Sequence, residues 1–252
     1  MLPVALGTAT RVMPPVVHSV KEYVCVMQLH SDVDEQDVLR VAEYFTGRIY
    51  QRPPVRSSVK RALRTRRVFS IEVMEVRGRL VLMKVLCESG TYIRKLCHDM
   101  GILLGTGAHM RELRRTRTGP FTEKDAVTMH RLSEAVYLWR EEGEEEPLKN
   151  LILPVEKAMC MTPKIIVKDT AVAAVAHGAD LSVKGVVALT EDVVKNRTAA
   201  LFTMRGELIG LATALMGARE AASKREGILA HPRRIIIERT LYPRVWRGVR
   251  VG

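Results

Sequence analysis

The stretch VFSIEVMEVRGRLVLMKVLCESGTYIRKLCHDMGILL, residues 68–104, decides the fold of this chain. Its first half holds two apolar runs, Val68–Val76 and Leu80–Cys87, on either side of an Arg-Gly-Arg turn, which is the pattern of a β-hairpin. In Gly90–Leu104 the period changes, and apolar residues recur at helical spacing. A hairpin followed by a helix favours a domain that mixes strands and helices, so the predicted fold class is α+β.

Upstream of this stretch the same kinds of element alternate. Tyr23–Leu29 is a β-rich run, and apolar residues at helical spacing in Asp32–Phe45 predict a helix that Gly47 ends. The segment Gln51–Arg67 then carries many basic residues and no acid, and its Pro53-Pro54 pair excludes regular helix at that point. We predict an exposed basic loop or arm here. Its basic residues are Arg52, Arg56, Lys60, Arg61, Arg64, Arg66 and Arg67.

Downstream, Ala108–Thr118 is a second basic cluster, and helical spacing returns in His130–Arg140 before an acid-rich surface stretch. After Pro163 the sequence pattern changes to short runs of Val, Ile and Ala separated by glycines. This pattern predicts a small domain with several strands. We place the domain boundary near residue 160, with one domain at residues 1–160 and another at residues 161–252.

Length, composition and charge exclude several classes of protein. The chain has 252 residues, 47% hydrophobic and 27% charged, which is a globular composition, and no apolar run approaches the roughly 18 residues that a membrane span needs. Forty Lys and Arg against 28 Asp and Glu leave a net charge of +12, so nucleic acid is the first partner to consider. The four cysteines lack CxxC spacing, which predicts neither a zinc ribbon nor a disulfide framework and favours a reducing, cytoplasmic compartment.

The strongest functional signal in the residues themselves is the pair of arginine clusters, because Lys and Arg that neutralise phosphates supply most non-specific affinity for nucleic acid. A solvated basic face is the alternative. The sequence has no Walker A, GxGxxG, HExxH or GxSxG motif, so NTPase, dehydrogenase, zinc protease and α/β-hydrolase readings lack support. The seven histidines show no ligand spacing, and no metal site is predicted.

Several segments, taken together and in order, resemble the TruB-type pseudouridine synthases, most closely the dyskerin-type branch of archaeal and eukaryotic H/ACA ribonucleoproteins. They are MLPVALGTATR (1–11), KEY (21–23), TGRIYQRPPVRSSVK (46–60), GTYIRKLCHD (90–99) and GAHMRELRRTRTGPF (107–121). The region from Pro163 through HGADL (177–181) to Trp246 is similar to the PUA domain that ends those enzymes. The resemblance implies a pseudouridine synthase catalytic domain, incomplete at its N-terminus, followed by a small β-barrel-like PUA domain.

The resemblance also implies a chemistry and roles for individual residues. Family members isomerise uridine to pseudouridine without a cofactor, after the target nucleotide has left its stack. Tyr23 matches the tyrosine that packs on the flipped base, and Arg94 matches the arginine that pairs with the catalytic aspartate and keeps it ionised. Ile93 is similar to the apolar wall of the pocket, and Lys60 to a lysine near the site. The plainer alternatives are a strand tyrosine, a phosphate-binding arginine, a core residue and a solvated lysine.

The catalytic aspartate of the family has no match in this sequence. It lies in a loop of the type GTLDP, several residues upstream of the position of Met1, and Asp32, Asp99 and Asp125 fall outside that motif. We therefore expect the chain to begin after the catalytic loop and the polypeptide as given to be inactive. A fragment or late start of a longer enzyme is favoured over an orphaned remnant.

RNA binding is the second activity that the resemblance implies. In H/ACA proteins the PUA domain holds the ACA end of the guide RNA, and the loop at residues 177–181 matches that surface; a tight turn without RNA contact is the alternative. The residues assigned to RNA are Arg52, Arg56, Arg61, Arg64, Arg66, Arg67, Arg114 and Arg115 in the catalytic domain and His177, Gly178, Ala179, Asp180 and Leu181 in the PUA domain.

The resulting expectation is RNA-guided conversion of uridine to pseudouridine in ribosomal RNA by the catalytic subunit of an archaeal-type H/ACA particle. The implied partners are guide RNA, target ribosomal RNA or transfer RNA, and three protein subunits: a small zinc-ribbon-like protein, a glycine-arginine-rich-domain-type protein and a kink-turn-binding protein. No membrane partner is expected, and the location is cytoplasmic, or nucleolar in a eukaryote. A stand-alone transfer-RNA pseudouridine synthase and a non-catalytic RNA-binding module are the two alternatives.

Overall fold

The computed structural model describes residues 1–53 and 62–243. Of the residues singled out from the sequence, Arg56, Lys60, Arg61 and Trp246 lie outside the described residues. The chain divides into two compact units. Unit 1 comprises residues 1–3 and 17–128, and unit 2 comprises residues 4–16 and the chain from residue 129 onward.

Unit 1 is built on an antiparallel sheet. Within the described residues it has six strands in the order β2-β3-β4-β1-β5-β6. They are β1 (Lys21–Leu29), β2 (Gly47–Gln51), β3 (Arg64–Arg77), β4 (Leu80–Cys87), β5 (Ala108–Thr118) and β6 (Phe121–Thr122). A short helix, α1 (Pro14–His18), precedes β1 in the chain, and only its last two residues belong to unit 1. Helices α2 (Glu35–Tyr44) and α3 (Ile93–Leu103) lie between strands and contribute their apolar faces to the core. The predicted hairpin, strand and two helices are confirmed.

The core of unit 1 is formed by alternate residues of its strands and by one face of α3. Alternate residues of β4, from Val81 to Cys87, are fully buried, and they meet the buried residues of β1 in antiparallel register. Helix α3 buries Ile93, Leu96 and Met100 on one face, as the spacing predicted. It begins at Ile93 and not at Gly90, because Gly90 lies in a turn with φ +82, a conformation that residues with a Cβ avoid.

The expectation of a basic loop over residues 51–67 is wrong at both ends. Gln51 is the last residue of β2, and residues 64–67 are the first four residues of β3 and pair with residues 48–51 of β2. The second basic cluster, residues 108–118, is likewise a strand, paired along its length with β1. Neither segment shows the alternation of apolar residues that is typical of a strand. Pairing with other strands holds these residues extended, and the local sequence does not reveal those partners.

Unit 2 contains the small, many-stranded domain expected after Pro163. Its sheet has the order β8-β12-β11-β10-β7-β9 among the described residues, with β7 and β10 parallel. The strands are β7 (Lys164–Val167), β8 (Leu181–Ser182), β9 (Val186–Leu189), β10 (Thr198–Thr203), β11 (Leu208–Ala214) and β12 (Ile228–Ile235). The helices are α4 (Met129–Tyr137), α5 (Glu146–Lys149), α6 (Val155–Ala158), α7 (Asp169–Ala176) and α8 (Ala218–Ser223). Both units mix helices and strands, which confirms the α+β class.

Membrane-spanning helices and clusters of metal-ligating side chains are both absent from residues 1–53 and 62–243. No helix there has the length and apolar character needed to cross a membrane. No group of three or more His, Cys, Asp or Glu side chains in those same residues is placed to hold a metal ion. The three buried cysteines, Cys25, Cys87 and Cys97, are free thiols.

Candidate active site

The predicted site tyrosine, Tyr23, is half-buried in β1 and lies beneath an arginine. The guanidinium of Arg115 stands 5.5 Å from the centroid of the Tyr23 ring. The two residues are paired across β1 and β5, next to a register shift between Glu22 and Tyr23. This cation–π contact holds the ring in one orientation. Arg115, assigned to RNA from the sequence, therefore also positions the site tyrosine.

The two residues that precede Tyr23 anchor its backbone further. The ammonium of Lys21, only 8% exposed, donates to the carbonyl and the hydroxyl of Ser19 at 2.9 and 3.1 Å. Burial, and after it the charge of Arg115, lowers the pKa of Lys21 from 10.5 to about 8. The carboxylate of Glu22 accepts a hydrogen bond of 2.7 Å from the hydroxyl of Thr116. The Lys-Glu-Tyr segment is thus fixed to its neighbours by side chains as well as by sheet pairing.

Arg94, the second predicted site residue, lies exposed in the first turn of α3. Within residues 1–53 and 62–243 it has no carboxylate within 4 Å. Its neighbour Lys95 instead pairs with Asp99 at 2.6 Å, one turn further along the helix. An exposed guanidinium without an intramolecular anion is available to an incoming carboxylate or phosphate.

Each aspartate weighed against the family motif already has a partner. Asp99 is paired with Lys95, and Asp32 accepts from the guanidinium of Arg79 at 2.9 Å, which lowers the pKa of that carboxyl. The carboxylate of Asp125 caps a short helical turn by accepting from the backbone N–H of Thr122 at 3.0 Å. None of the three is placed to serve Arg94.

A glutamine that sequence reasoning missed holds the start of α3. Gln51, 2% exposed at the end of β2, accepts a hydrogen bond of 2.9 Å from the backbone N–H of Tyr92 and donates one of 3.1 Å to its carbonyl. Tyr92 is the residue before α3 and has no side-chain cap of its own. Gln51 therefore fixes the position from which Ile93 and Arg94 project. Its partner lies 41 residues away, and no local pattern in the sequence reveals it.

Replacing Gln51 with Met tests this link. We expect the free energy of unfolding to fall by about 1–3 kcal/mol, because the N–H of Tyr92 loses its acceptor while the buried volume stays nearly the same. Chemical denaturation measures the loss, and amide exchange at Tyr92 should accelerate. The matched control is Gln36→Met on the exposed face of α2, which should change stability by less than about 0.5 kcal/mol. Equal effects of the two variants would contradict the role.

Ile93 is 3% exposed and belongs to the core cluster of unit 1 together with Leu96 and Met27. Its side chain is thus packed as a core residue, the plainer of its two expected roles, and the pocket-wall role stays a prediction. Lys60 lies outside the described residues. Of the four predicted site residues, the structure places Tyr23, Ile93 and Arg94 on unit 1.

The arginines assigned to RNA differ in their exposure to solvent. Arg52 is exposed, and Arg67 is exposed on β3. Arg66 is half-buried, as is Arg64. Arg114 is ion-paired with Glu123, which offsets part of its charge. Phosphate contact is therefore better supported at the start of β3 than at Arg114.

The predicted RNA loop of unit 2 presents most of its residues at the surface. His177 follows α7 and contacts the carbonyl of Ala173 through its Nδ1 at 2.7 Å, and Gly178 has φ +94. Ala179 and Asp180 are exposed, and Asp180 contacts His231 on β12. Leu181 is 1% exposed and packs in the core of unit 2. Any contact of Leu181 with RNA is thereby limited to its backbone.

Comparison with known proteins decides the family. The model of the TruB family pseudouridylate synthase N-terminal domain matches residues 1–93, and that of the tRNA pseudouridylate synthase B C-terminal domain matches residues 94–160. The PUA domain model matches residues 163–236. A probable tRNA pseudouridine synthase B of Archaeoglobus fulgidus is 49% identical over 248 residues, 98% of this chain and 76% of the relative. The chain belongs to the TruB family of pseudouridine synthases.

Other relatives place this TruB-family synthase near the archaeal H/ACA branch. The probable tRNA pseudouridine synthase B of Saccharolobus solfataricus is 48% identical over 98% of both chains. A chain in a crystal structure of a Cbf5–Nop10–Gar1 complex superposes with a TM-score of 0.92 at 48% identity, over 96% of this chain and 74% of that one. A chain of an H/ACA ribonucleoprotein bound to a substrate RNA containing 2'-deoxyuridine gives 0.90 at 44% identity, over 96% and 74%. The expected family, its PUA domain and the H/ACA resemblance are confirmed.

Proposed function

We propose that this TruB-family synthase is the catalytic subunit of an archaeal-type H/ACA particle and converts uridine to pseudouridine in ribosomal RNA at sites chosen by a guide RNA. The observation that carries the proposal is the match over 96% of the chain, at a TM-score of 0.90, to a subunit of an H/ACA ribonucleoprotein bound to substrate RNA. The proposed protein partners are a small zinc-ribbon-like subunit, a glycine-arginine-rich-domain-type subunit and a kink-turn-binding subunit. The proposed location is the cytoplasm.

The catalytic domain proposed for this function is residues 1–160, and the PUA domain is residues 161–252. The gap between the family models, which end at residue 160 and resume at residue 163, supports this boundary. The compact units divide at residue 128 instead, so the helices between residues 129 and 160 group with unit 2. We attribute these helices to the catalytic domain because the synthase model covers them.

In the proposed reaction an aspartate acts as nucleophile or base while the bond between N1 of the flipped uridine and C1' of the ribose breaks. The freed base rotates, and its C5 bonds to C1'. The proton on C5 is then removed and N1 is protonated, so that the product is an isomer of uridine. The chain contributes the groups around this step. Tyr23, held by Arg115, supplies a flat ring on which the flipped base packs. Arg94 pairs with the aspartate and keeps it ionised and oriented. Ile93 and Lys60 line the pocket in this proposal.

The carboxylate proposed as the ion-pair partner of Arg94 belongs to a loop of the type GTLDP. Supporting this, Asp32, Asp99 and Asp125 are each engaged with another partner. A polypeptide of residues 1–252 lacks the matching aspartate, so it is expected to bind RNA without converting uridine. Supplying the loop upstream in the same chain completes the site.

Guided conversion tests the proposal. The polypeptide of residues 1–252, incubated with guide RNA and partner subunits, should form no pseudouridine, and the same polypeptide preceded by a GTLDP-type segment should form it at the guided position. Exchanging the guide sequence should move the modified site. Conversion of transfer RNA without guide would favour the stand-alone enzyme, consistent with the names of the archaeal relatives. Conversion by residues 1–252 alone would refute the missing-carboxylate proposal.

The proposed guide-RNA role of the PUA domain makes a separate prediction. If residues 177–181 read an ACA-type end, changing that trinucleotide should weaken binding by about 1–3 kcal/mol for each lost base contact, at fixed salt. Replacing Arg64, Arg66 and Arg67 with Gln should instead weaken all RNAs alike and flatten the dependence of log affinity on log salt. Titrations at several salt concentrations separate the two effects. Affinity that ignores the trinucleotide would favour an RNA-binding role without ACA recognition.

A further inference from the structure

Unit 1 contains a cavity of about 380 Å³ that none of the predicted catalytic residues lines. It lies where the β2–β3 strand pair meets the segment before β1 and the residue after β4. The side chains that matter for its chemistry are His18, Arg48, Arg66, Arg67, Phe69 and Glu88. The lining thus contains three arginines and one carboxylate, which is the charge balance of an anion site.

Two of these arginines lie directly opposite each other. Arg48 of β2 and Arg67 of β3 are register partners in the antiparallel pair, and both are exposed. Like charges in this position repel and destabilise the pairing. No carboxylate in the described part of the chain lies within 4 Å of either guanidinium, and Glu88 accepts from the backbone N–H of Arg67, at 3.1 Å, without pairing with its side chain. An anion between the two arginines would relieve this repulsion.

Arg66 adds a third positive charge beside this pair. It precedes Arg67 on β3, is half-buried and also lines the cavity. One terminal nitrogen of its guanidinium donates to the carbonyl of Thr65 at 2.9 Å, and the Cβ position of Gly90 lies 3.1 Å from its Nε, so the glycine leaves room for the guanidinium. This charge makes the potential at the cavity more positive.

An aromatic ring stands beside these charges. Phe69 is 39% exposed, and the guanidinium of Arg67 lies 5.4 Å from its ring centroid. An exposed aromatic ring next to arginines is the combination that binds single-stranded nucleic acid, because the arginines take the phosphate and the ring stacks on a base. A simple inorganic anion would need the arginines but not the ring.

We propose that this cavity binds one nucleotide of a single-stranded RNA, with its phosphate between Arg48 and Arg67 and its base on the Phe69 ring. The inference rests on the proposed function, in which RNA is both guide and target, and adds to it a subsite separate from Tyr23 and the loop at residues 177–181. Arg48 supplies the phosphate contact of this subsite and Phe69 supplies the stacking surface.

Two variants of the full chain, each with a matched control, test the subsite. Phe69→Leu should weaken binding of a labelled uridine-rich single-stranded RNA by about 5- to 100-fold, because it removes stacking only. The slope of log affinity against log salt concentration should stay unchanged. Arg48→Gln should lower that slope by about 0.7, as expected for one lost phosphate contact on a single strand. The controls are Tyr44→Leu, an exposed aromatic at the end of α2, and Arg77→Gln, at the far end of β3; both should stay within about twofold of wild type.

Competition and crosslinking identify the ligand. Uridine monophosphate should displace the RNA at lower concentration than inorganic phosphate does, and photo-crosslinking with 4-thiouridine RNA should label the peptide that holds Phe69. The subsite would be overturned if Phe69→Leu bound RNA as tightly as Tyr44→Leu, or if Arg48→Gln showed the same salt dependence as Arg77→Gln. Either result would leave the proposed function intact. Loss of guided conversion in the loop-completed enzyme, with the subsite signatures retained, would instead overturn the proposed function.

Discussion

In the enzyme that carries the GTLDP-type loop, Arg94→Ala should lower kcat for uridine conversion by about 10²–10³-fold, the usual cost of removing one preorganised charge partner at a reacting group. The affinity for RNA should change by less than about twofold. Arg94 is exposed and has no anionic partner in the described residues, so the loss would come from the orientation and ionisation of the aspartate and not from unfolding. Single-turnover kinetics at saturating enzyme separate chemistry from binding.

Two further variants calibrate this result. Arg94→Lys keeps the charge but not the two-pronged guanidinium, so it should recover part of the rate. Arg40→Ala removes an exposed arginine of α2, which is paired with Asp37, and should leave kcat unchanged. A loss confined to RNA affinity would place Arg94 among the phosphate contacts and remove it from the catalytic step.

Gly101→Ala should lower the free energy of unfolding by about 3 kcal/mol, at the upper end of the usual cost of overpacking a core. A Cβ at Gly101 would lie 2.2 Å from the backbone nitrogen of Ala108, the first residue of β5, and the backbone cannot yield as a flexible side chain would. The substitution therefore forces α3 away from β5. Because α3 carries Arg94, activity of the loop-completed enzyme should fall along with stability.

Urea denaturation of the variants measures the effect. Leu103→Ala, two residues along α3 and 56% exposed, is the control, and it should change stability by less than about 0.5 kcal/mol. Wild-type stability in Gly101→Ala would mean that α3 and β5 can separate without cost.

Several elements could be predicted from the sequence because their signals are local. The hairpin at residues 68–87 shows apolar runs around a glycine turn, and α3 shows a buried stripe every third or fourth residue. The motif residues Tyr23 and Arg94 were likewise identified from short segments that match the family. The start of α3 was misplaced by three residues, because the turn conformation of Gly90 competes with helix there.

The sequence by itself determined the α+β class, the family and the candidate catalytic residues, because hydrophobic periodicity and short motifs involve residues that lie close together in the chain. Only the tertiary structure decided which side chains meet: Gln51 against the start of α3, Arg115 over Tyr23, and Arg48 opposite Arg67. Each of these contacts depends on the register between strands or segments that are distant in the chain. A slip of one residue in register would move every side chain of a strand to the other face of the sheet, so these contacts become known only when the sheet is assembled.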